Sequence, residues 1–329
     1  MQYHGKVARS GRPGGNGDDW MTWFYYLVAA LFGLIFGSFF NVVIYRVPKK
    51  KSLGERSRCP HCGEVIHWYD NVPLLSYAIL RGRCRGCKAP ISIRYPLVEA
   101  VTALLFVLVY WWSRSVLPSQ QGLPPGKVVS PELFIGLLMV SVLVIVSAVD
   151  LIDGIVPNRV MYPGLVMMLL LVTGTALYRG QPGRIGLAVA SAAIGAGFLF
   201  IAGLLYGLLF LRGRAPADEE GENGSPGEDP NGGDGLEEDD EEYATGIGMG
   251  DVKLLAFTGL ALGYFHWYLV IVQLFMGFLA GALIAIPLIA LTRKGRKDRL
   301  PFAPFLALGA VIALVWGQQI VDLYLKLLR

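Results

Sequence analysis

The sequence predicts an all-α polytopic membrane protein: about eight transmembrane helices with a small zinc-binding cytoplasmic subdomain. Three observations carry that prediction. Of 329 residues, 54% are hydrophobic and 16% are charged, where a soluble domain carries roughly 25% charged residues. Apolar runs near the ~20 residues that cross a bilayer core recur along the chain, and they are continuous rather than alternating, which favours helices over a barrel. All four cysteines fall in one polar segment between the first two runs.

The elements follow in order. Residues 1–21 are a polar, Gly-rich tail, and no small-residue cleavage site follows the first apolar run, unlike a cleaved signal peptide. Residues 22–44 are the first span, Thr22–Ile44, and residues 45–96 are the cysteine-bearing subdomain. Residues 97–210 hold spans two to five, at Leu97–Trp112, Leu133–Val149, Val160–Leu177 and Ile185–Phe210. Residues 211–247 are an acidic loop, in which Asp218–Glu242 carries 13 of the 25 acidic residues and no basic one. Such a stretch buries too little apolar surface to offset its ordering entropy, so disorder is expected. Residues 248–329 open on Gly248-Met249-Gly250-Asp251 and hold Val252–Tyr264, Trp267–Leu291 and Phe302–Val321. The sixth span is short and contains glycine, which predicts a tilted or partly inserted helix. No internal repeat of fixed period is visible.

Lysine and arginine set the orientation. With eight spans, 20 of the 29 basic residues fall on one side, including eleven between Arg46 and Arg94 and five in Arg293–Arg299. That side is expected to be cytoplasmic, and it carries the cysteines, Asp150 and Asp251.

The cysteines form Cys59-Pro60-His61-Cys62 and Cys84-Arg85-Gly86-Cys87, with 21 residues between the pairs. Zinc takes four thiolates tetrahedrally, and each CxxC turn offers two. The competing reading is disulfides or a redox pair, which a reducing cytoplasm disfavours. Four protein ligands leave no open position, so the metal would be structural, and a subdomain of about 50 residues is small enough to need it. His61 and His67 are read as bystanders. Nucleic acid is not expected as a partner, because orientation already explains the basic residues and no aromatic residues interleave with them.

Asp150 ends the third span and Asp251 stands at the mouth of the sixth. An ionisable group at a membrane boundary is costly and reads as functional by default. On one side of the bilayer the two can meet and share a proton, as the dyad of an aspartic protease does. Gly248 and Gly250 would let backbone approach closely, where a substrate strand could lie. The plainer reading has Asp251 capping the following helix and Asp150 merely ending its own. The residues alone leave both open. Asp153 is the rival for the first acid, although Gly154 and Pro157 predict that the helix frays there. Lys253 either snorkels to the interface or tunes Asp251, and Glu99 reads as an interfacial carboxylate beside Arg94. A reading from another class is a secondary transporter with Asp150 and Asp251 as proton relays, which should show inverted repeats and interrupted helices.

Taken together, these residues resemble the type IV prepilin peptidases. The resemblance rests on Gly37-Ser38-Phe39-Phe40-Asn41-Val42-Val43-Ile44-Tyr45-Arg46, the two CxxC pairs, and Trp68-Tyr69-Asp70-Asn71-Val72-Pro73-Leu74-Leu75-Ser76-Tyr77. It extends to Ile93-Arg94-Tyr95-Pro96-Leu97-Val98-Glu99, Asp150 with Pro157-Asn158, and Gly248-Met249-Gly250-Asp251-Val252-Lys253-Leu254-Leu255. It implies an intramembrane aspartic endopeptidase of the bacterial inner membrane, with its active site facing the cytoplasm. Such an enzyme removes a short basic leader, after a glycine, from type IV prepilins or type II secretion pseudopilins. The catalytic pair implied is Asp150, seven residues before Pro157, and Asp251. N-methylation of the new N-terminus from S-adenosylmethionine is also implied, and it is associated with the zinc-bearing segment; Gly82 is the candidate there for cofactor binding. Pilus or secretion assembly components are the further partners implied. The long acidic insertion and the extended N-terminal tail depart from the family pattern.

Overall fold

The computed structural model describes residues 19–117, 130–211, 248–291 and 301–328. The tail at 1–18, the acidic segment Asp218–Glu242 and the basic run Arg293–Arg299 lie outside the described residues. The helices are α1 (Asp19–Arg46), α2 (Leu75–Ile79), α3 (Arg94–Trp111), α4 (Pro131–Asp153), α5 (Asn158–Tyr178), α6 (Gly183–Tyr206), α7 (Met249–Phe265), α8 (Leu269–Leu291) and α9 (Ala303–Leu327). A 3-10 turn spans Trp68–Asn71, and α3 and α6 run on into wider π turns at Trp112–Val116 and Gly207–Leu211. Among the described residues the only β pairings are isolated bridges, Arg58 with Val65 and Arg83 with Pro90.

Each expected span falls on one helix. Among the described residues six helices are long and apolar enough to cross a membrane, so length alone does not establish eight spans. Of the other two, α7 has 17 residues and is enclosed by its neighbours: from Leu254 to Phe265 every residue except Ala256 is buried. It shares the centre of the molecule with α4 and α5, where Ile135, Met139, Val140, Val146, Met161, Met168, Leu254, Leu255 and Phe257 are fully buried. A helix wrapped by other helices has no lipid-facing stripe to match, which removes the periodicity that marks an outer span.

Small residues set the tight helix pairs. A Cβ on Gly33 of α1 would lie 2.5 Å from the Ala103 Cα of α3. One on Gly259 of α7 would lie 2.6 Å from the Ala192 Cα of α6, and one on Gly263, a turn later, would strike Ser191. In α9, a Cβ on Gly309 would run into the Gln273 carbonyl and lie 2.8 Å from the Gly277 nitrogen of α8. Lipid tails are as apolar as leucine, so helices in a bilayer associate through such close packing rather than through the hydrophobic effect.

The helix ends explain where the turns fall. Proline at the first turn of α4 is pre-set for a helix start, and Gly154, with φ of +69°, closes that helix in a left-handed cap. At the end of the bundle away from Asp150, Glu132 is 1% exposed and accepts two bonds from Arg179, Nε to Oε1 at 2.8 Å and Nη2 to Oε2 at 2.7 Å. The Tyr264 hydroxyl donates to the same carboxylate at 3.4 Å, and Arg184 donates to the Tyr264 carbonyl at 3.2 Å. One buried ion pair thereby joins the start of α4, the end of α5 and the end of α7.

Candidate active site and metal centre

Asp150 lies in the last turn of α4 and is 9% exposed, whereas Asp153, past it on the same helix, is exposed. The Asp150 Oδ2 accepts the backbone N–H of Ala303 at 3.0 Å. Ala303 is the first residue of α9, so the carboxylate takes one of the amides that a helix start leaves without an internal partner. The last helix thus holds the first aspartate in place. Sequence reasoning missed this, since a backbone amide on a buried alanine has no signature in the chain.

Asp251 stands half-buried in the first turn of α7. The cap position belongs to Gly248, so Asp251 stands at the third helical position and not at the cap. The first turn of α7 abuts the linker that follows Asp150: a Cβ on Gly250 would lie 2.5 Å from the Val156 Cβ and 2.7 Å from its Cγ2. The close approach expected at Gly250 is therefore to Val156. Two residues beyond Asp251, the Lys253 Nζ donates to the Asn158 Oδ1 at 2.7 Å and lies 5.1 Å from the Tyr162 ring centre.

Glu99 is buried in α3, and its Oε2 accepts the Leu74 N–H at 2.8 Å. It forms no ion pair with Arg94 among the described residues; it ties the start of α2 to the second turn of α3. Leu74 has φ of +57°, a conformation that is costly for a branched side chain and that this bond helps to hold. Asn41 donates to the Tyr95 carbonyl at 3.0 Å, and Arg46 donates to the Ser52 and Leu53 carbonyls at 3.1 and 3.0 Å. The polar residues that close the first span thus anchor the cysteine-bearing segment to the bundle.

The four cysteines carry no disulfide, and their sulfurs lie within 4.8 Å of one another. Four thiolates at about 2.3 Å from a tetrahedral zinc sit about 3.8 Å apart. The Cys59 and Cys87 sulfurs are 3.8 Å apart, so the donor set fits that ion. His61 and His67 stay outside the cluster, and His67 stacks on Tyr69 with ring centres 5.2 Å apart. The amides of Cys62 and His61 draw the Cys59 thiol down to about 6.

The two cysteine turns are built alike. In the first, the Cys59 N–H donates to the Glu64 carbonyl, the Gly63 N–H to the Cys59 carbonyl and the Ile66 N–H to the Ser57 carbonyl. In the second, Cys84 bonds Ala89, Lys88 bonds Cys84 and Ile91 bonds Gly82 in the same pattern, 25 residues further on. A short structural repeat exists where the sequence reading found none, because only Arg-Cys-x-x-Cys and an isoleucine recur between the copies. Arg85 of the second turn grips Asp70 with both nitrogens, Nε at 2.9 Å and Nη2 at 2.6 Å, and that hydrogen-bonded guanidinium holds the Asp70 carboxyl below its usual range. Gly82 is buried with φ of +67°, and a Cβ there would lie 2.9 Å from the Tyr77 hydroxyl oxygen. Conformation and space alone account for glycine at that position.

Fold and site define a multi-pass helical membrane protein with two carboxylates at one end of the bundle and a four-thiol centre joining its first two spans. Comparison with known proteins gives the particular family. The Bacterial Peptidase A24 N-terminal domain profile matches residues 31–113, and the Type IV leader peptidase family profile matches residues 137–286. The chain is 33% identical to the Prepilin leader peptidase/N-methyltransferase of Aeromonas hydrophila over 93% of this chain and 95% of that protein. The same name belongs to a Bacillus subtilis protein, 29% identical over 90% of this chain and 96% of that one, and to a Myxococcus xanthus protein, 40% identical over 48% of this chain and 42% of that one. The chain belongs to the type IV leader peptidase family. No solved structure gives a significant match.

Proposed function

We propose that this chain is an aspartic endopeptidase that removes the basic leader from type IV prepilins or type II secretion pseudopilins after a glycine, with Asp150 and Asp251 as the catalytic pair. The observation that supports the reading is the packing of the segments that carry the two acids. Asp150 is buried and held by the start of α9, and the helix that carries Asp251 packs through Gly250 on the linker that leaves Asp150. Two carboxylates that share a proton supply both halves of peptide hydrolysis. The ionised one takes a proton from water as the oxygen attacks the scissile carbonyl carbon. The protonated one gives its proton to the amide nitrogen as the C–N bond breaks. The substrate's apolar helix would lie in the bilayer beside the spans, which brings its leader junction to the membrane surface.

The cysteine segment is read as a structural zinc site held by Cys59, Cys62, Cys84 and Cys87, which positions the leader. S-adenosylmethionine as methyl donor for the new N-terminus, with Gly82 as the candidate contact, rests on the resemblance and on the names of the relatives. The bacterial inner membrane is the location proposed from the resemblance, and the cytoplasmic face of the site from the charge asymmetry. The transporter reading gains no support from the family matches.

Purified protein incubated with a prepilin and read by mass spectrometry tests the assignment. Asp150→Asn and Asp251→Asn should each abolish leader loss while the protein stays folded, and Asp153→Asn should keep most activity. Leader loss and a 14-dalton methyl increment (about the mass of one added CH₂) are scored separately. Full cleavage by either of the first two variants sinks the pair.

A further inference from the structure

We infer that Lys253 is a positioning residue: its bond to Asn158 clasps the helix bearing Asp251 to the segment that follows Asp150 and fixes the spacing of the two acids. The inference rests on the aspartic-peptidase reading and adds to it a residue acting through geometry. Lys253 and Asp251 are two positions apart on α7, and side chains at that separation do not face each other on a helix. The ammonium is therefore directed away from the Asp251 side of the helix. It crosses to α5, where the Asn158 Oδ1 accepts its hydrogen bond at 2.7 Å and the Tyr162 ring lies 5.1 Å beneath it. Asn158 and Tyr162 are four residues apart and share one face of α5, so together they form a seat for the cation.

A lysine that merely snorkels sends its ammonium to water and has no fixed partner. Lys253 is half-buried with a fixed partner on another helix. The clasp also has a companion contact. Gly250 meets Val156 one turn earlier, so α7 touches the segment after Asp150 at two points, Val156 in the linker and Asn158 at the start of α5, one on each side of Asp251. Two contacts bracketing one residue resist both sliding and rotation of that turn. Because a misplacement of about 1 Å at a reacting group costs on the order of 100-fold in rate, a clasp that limits such movement acts on kcat.

The test uses the full chain reconstituted in lipid with a prepilin substrate, comparing Lys253→Met, Lys253→Arg, Asn158→Leu and the Lys253→Met/Asn158→Leu double variant. Removing the clasp should lower kcat by about tenfold or more with KM within about twofold of the parent, and thermal unfolding should be unchanged. Lys253→Arg, which can still donate to Asn158, should recover most of the rate. The double variant should be no slower than the slower single, because both remove one interaction. A smaller loss in kcat, a loss carried by KM, or losses that multiply in the double variant overturns the clasp. Should Lys253→Met fail to fold, Asn158→Leu is judged by the same kcat and KM criteria. Asp150→Asn and Asp251→Asn are run in parallel. Activity in those two overturns the peptidase reading itself, whereas their inactivity beside an unimpaired Lys253→Met overturns only the clasp.

Discussion

At the scale of single residues, Gly250 shows how far the chain can be read. The sequence marks it as a point of close approach beside Asp251 and assigns the space to a substrate strand. The structure gives that space to Val156, a residue with nothing in its sequence context to single it out. Pairwise contacts between residues 95 or 153 positions apart leave no local trace, which is why Lys253–Asn158 and Ala303–Asp150 also escaped. Asp150 itself was legible, since a carboxylate at the end of an apolar run carries its own signal. The Gly250 contact makes a prediction. Gly250→Val must push the first turn of α7 away from the linker, moving Asp251, and should cut kcat by about 100-fold. The milder Gly250→Ala should be slowed less, and Gly250→Ala combined with Val156→Gly should regain most of the parent rate. Steady-state cleavage of a prepilin measures all three. A double variant as slow as Gly250→Ala alone would show that Val156 is not the obstacle.

At the scale of elements, the paired cysteine turns were legible as a metal site from CxxC spacing, but their internal likeness was not. It lives in backbone bonds, and the side chains between the cysteines differ. The likeness predicts equal dependence on the ion. Purified protein should hold about one zinc per chain, and Cys59→Ser and Cys84→Ser should lower zinc content and thermal stability to a similar degree. Elemental analysis that finds no metal, with alkylation showing two disulfides in cells, would refute the site. The two turns differ at one strained position: Gly63 has φ of +71°, and its counterpart Lys88 has φ of +58°. Lys88→Gly should relieve about 1 kcal/mol of backbone strain, visible as a small rise in thermal stability. At the other end of the bundle, the Glu132–Arg179 pair had a weak signal, an acid in the first turn of an apolar run. Breaking it leaves a charge without its partner in a poorly hydrated place. Glu132→Gln should destabilise the protein by about 3 kcal/mol, and Glu132→Leu/Arg179→Leu should recover part of that loss.

At the scale of the whole molecule, the order of the apolar helices was legible because continuous hydrophobicity is a strong signal, although six of the described helices, not eight, are long and apolar enough to span. Which helices pack together was not. The tight pair α6 and α7 is separated in the chain by the acidic segment, and its glycine and serine contacts appear only when the two are side by side. The contacts do sort the helix ends into two sets. Asp150 meets the start of α9, Lys253 at the start of α7 meets the start of α5, and Leu74 meets the start of α3. Glu132 at the start of α4 meets Arg179 after α5 and Tyr264 at the end of α7, and Arg114 after α3 donates to Thr22 near the start of α1 at 3.1 Å. Helices α3, α4, α5 and α7 each have one end in each set, as alternating spans require. Neither set says which faces the cytoplasm. The charge rule proposes an answer: with eight spans, the side assigned to Asp150 carries 20 of the 29 basic residues. A reporter fused after Arg329 should therefore read as outside the cytoplasm. The same reporter inserted within Asp218–Glu242 should read as cytoplasmic, and thiols at Cys62 and Cys87 should react with a membrane-impermeant reagent only after the membrane is opened and zinc is chelated. A cytoplasmic signal from the Arg329 fusion together with an external one from the Asp218–Glu242 insertion would invert the orientation. It would also place the aspartate pair on the face opposite a cytoplasmic leader, so the peptidase assignment and the charge rule stand or fall on one measurement.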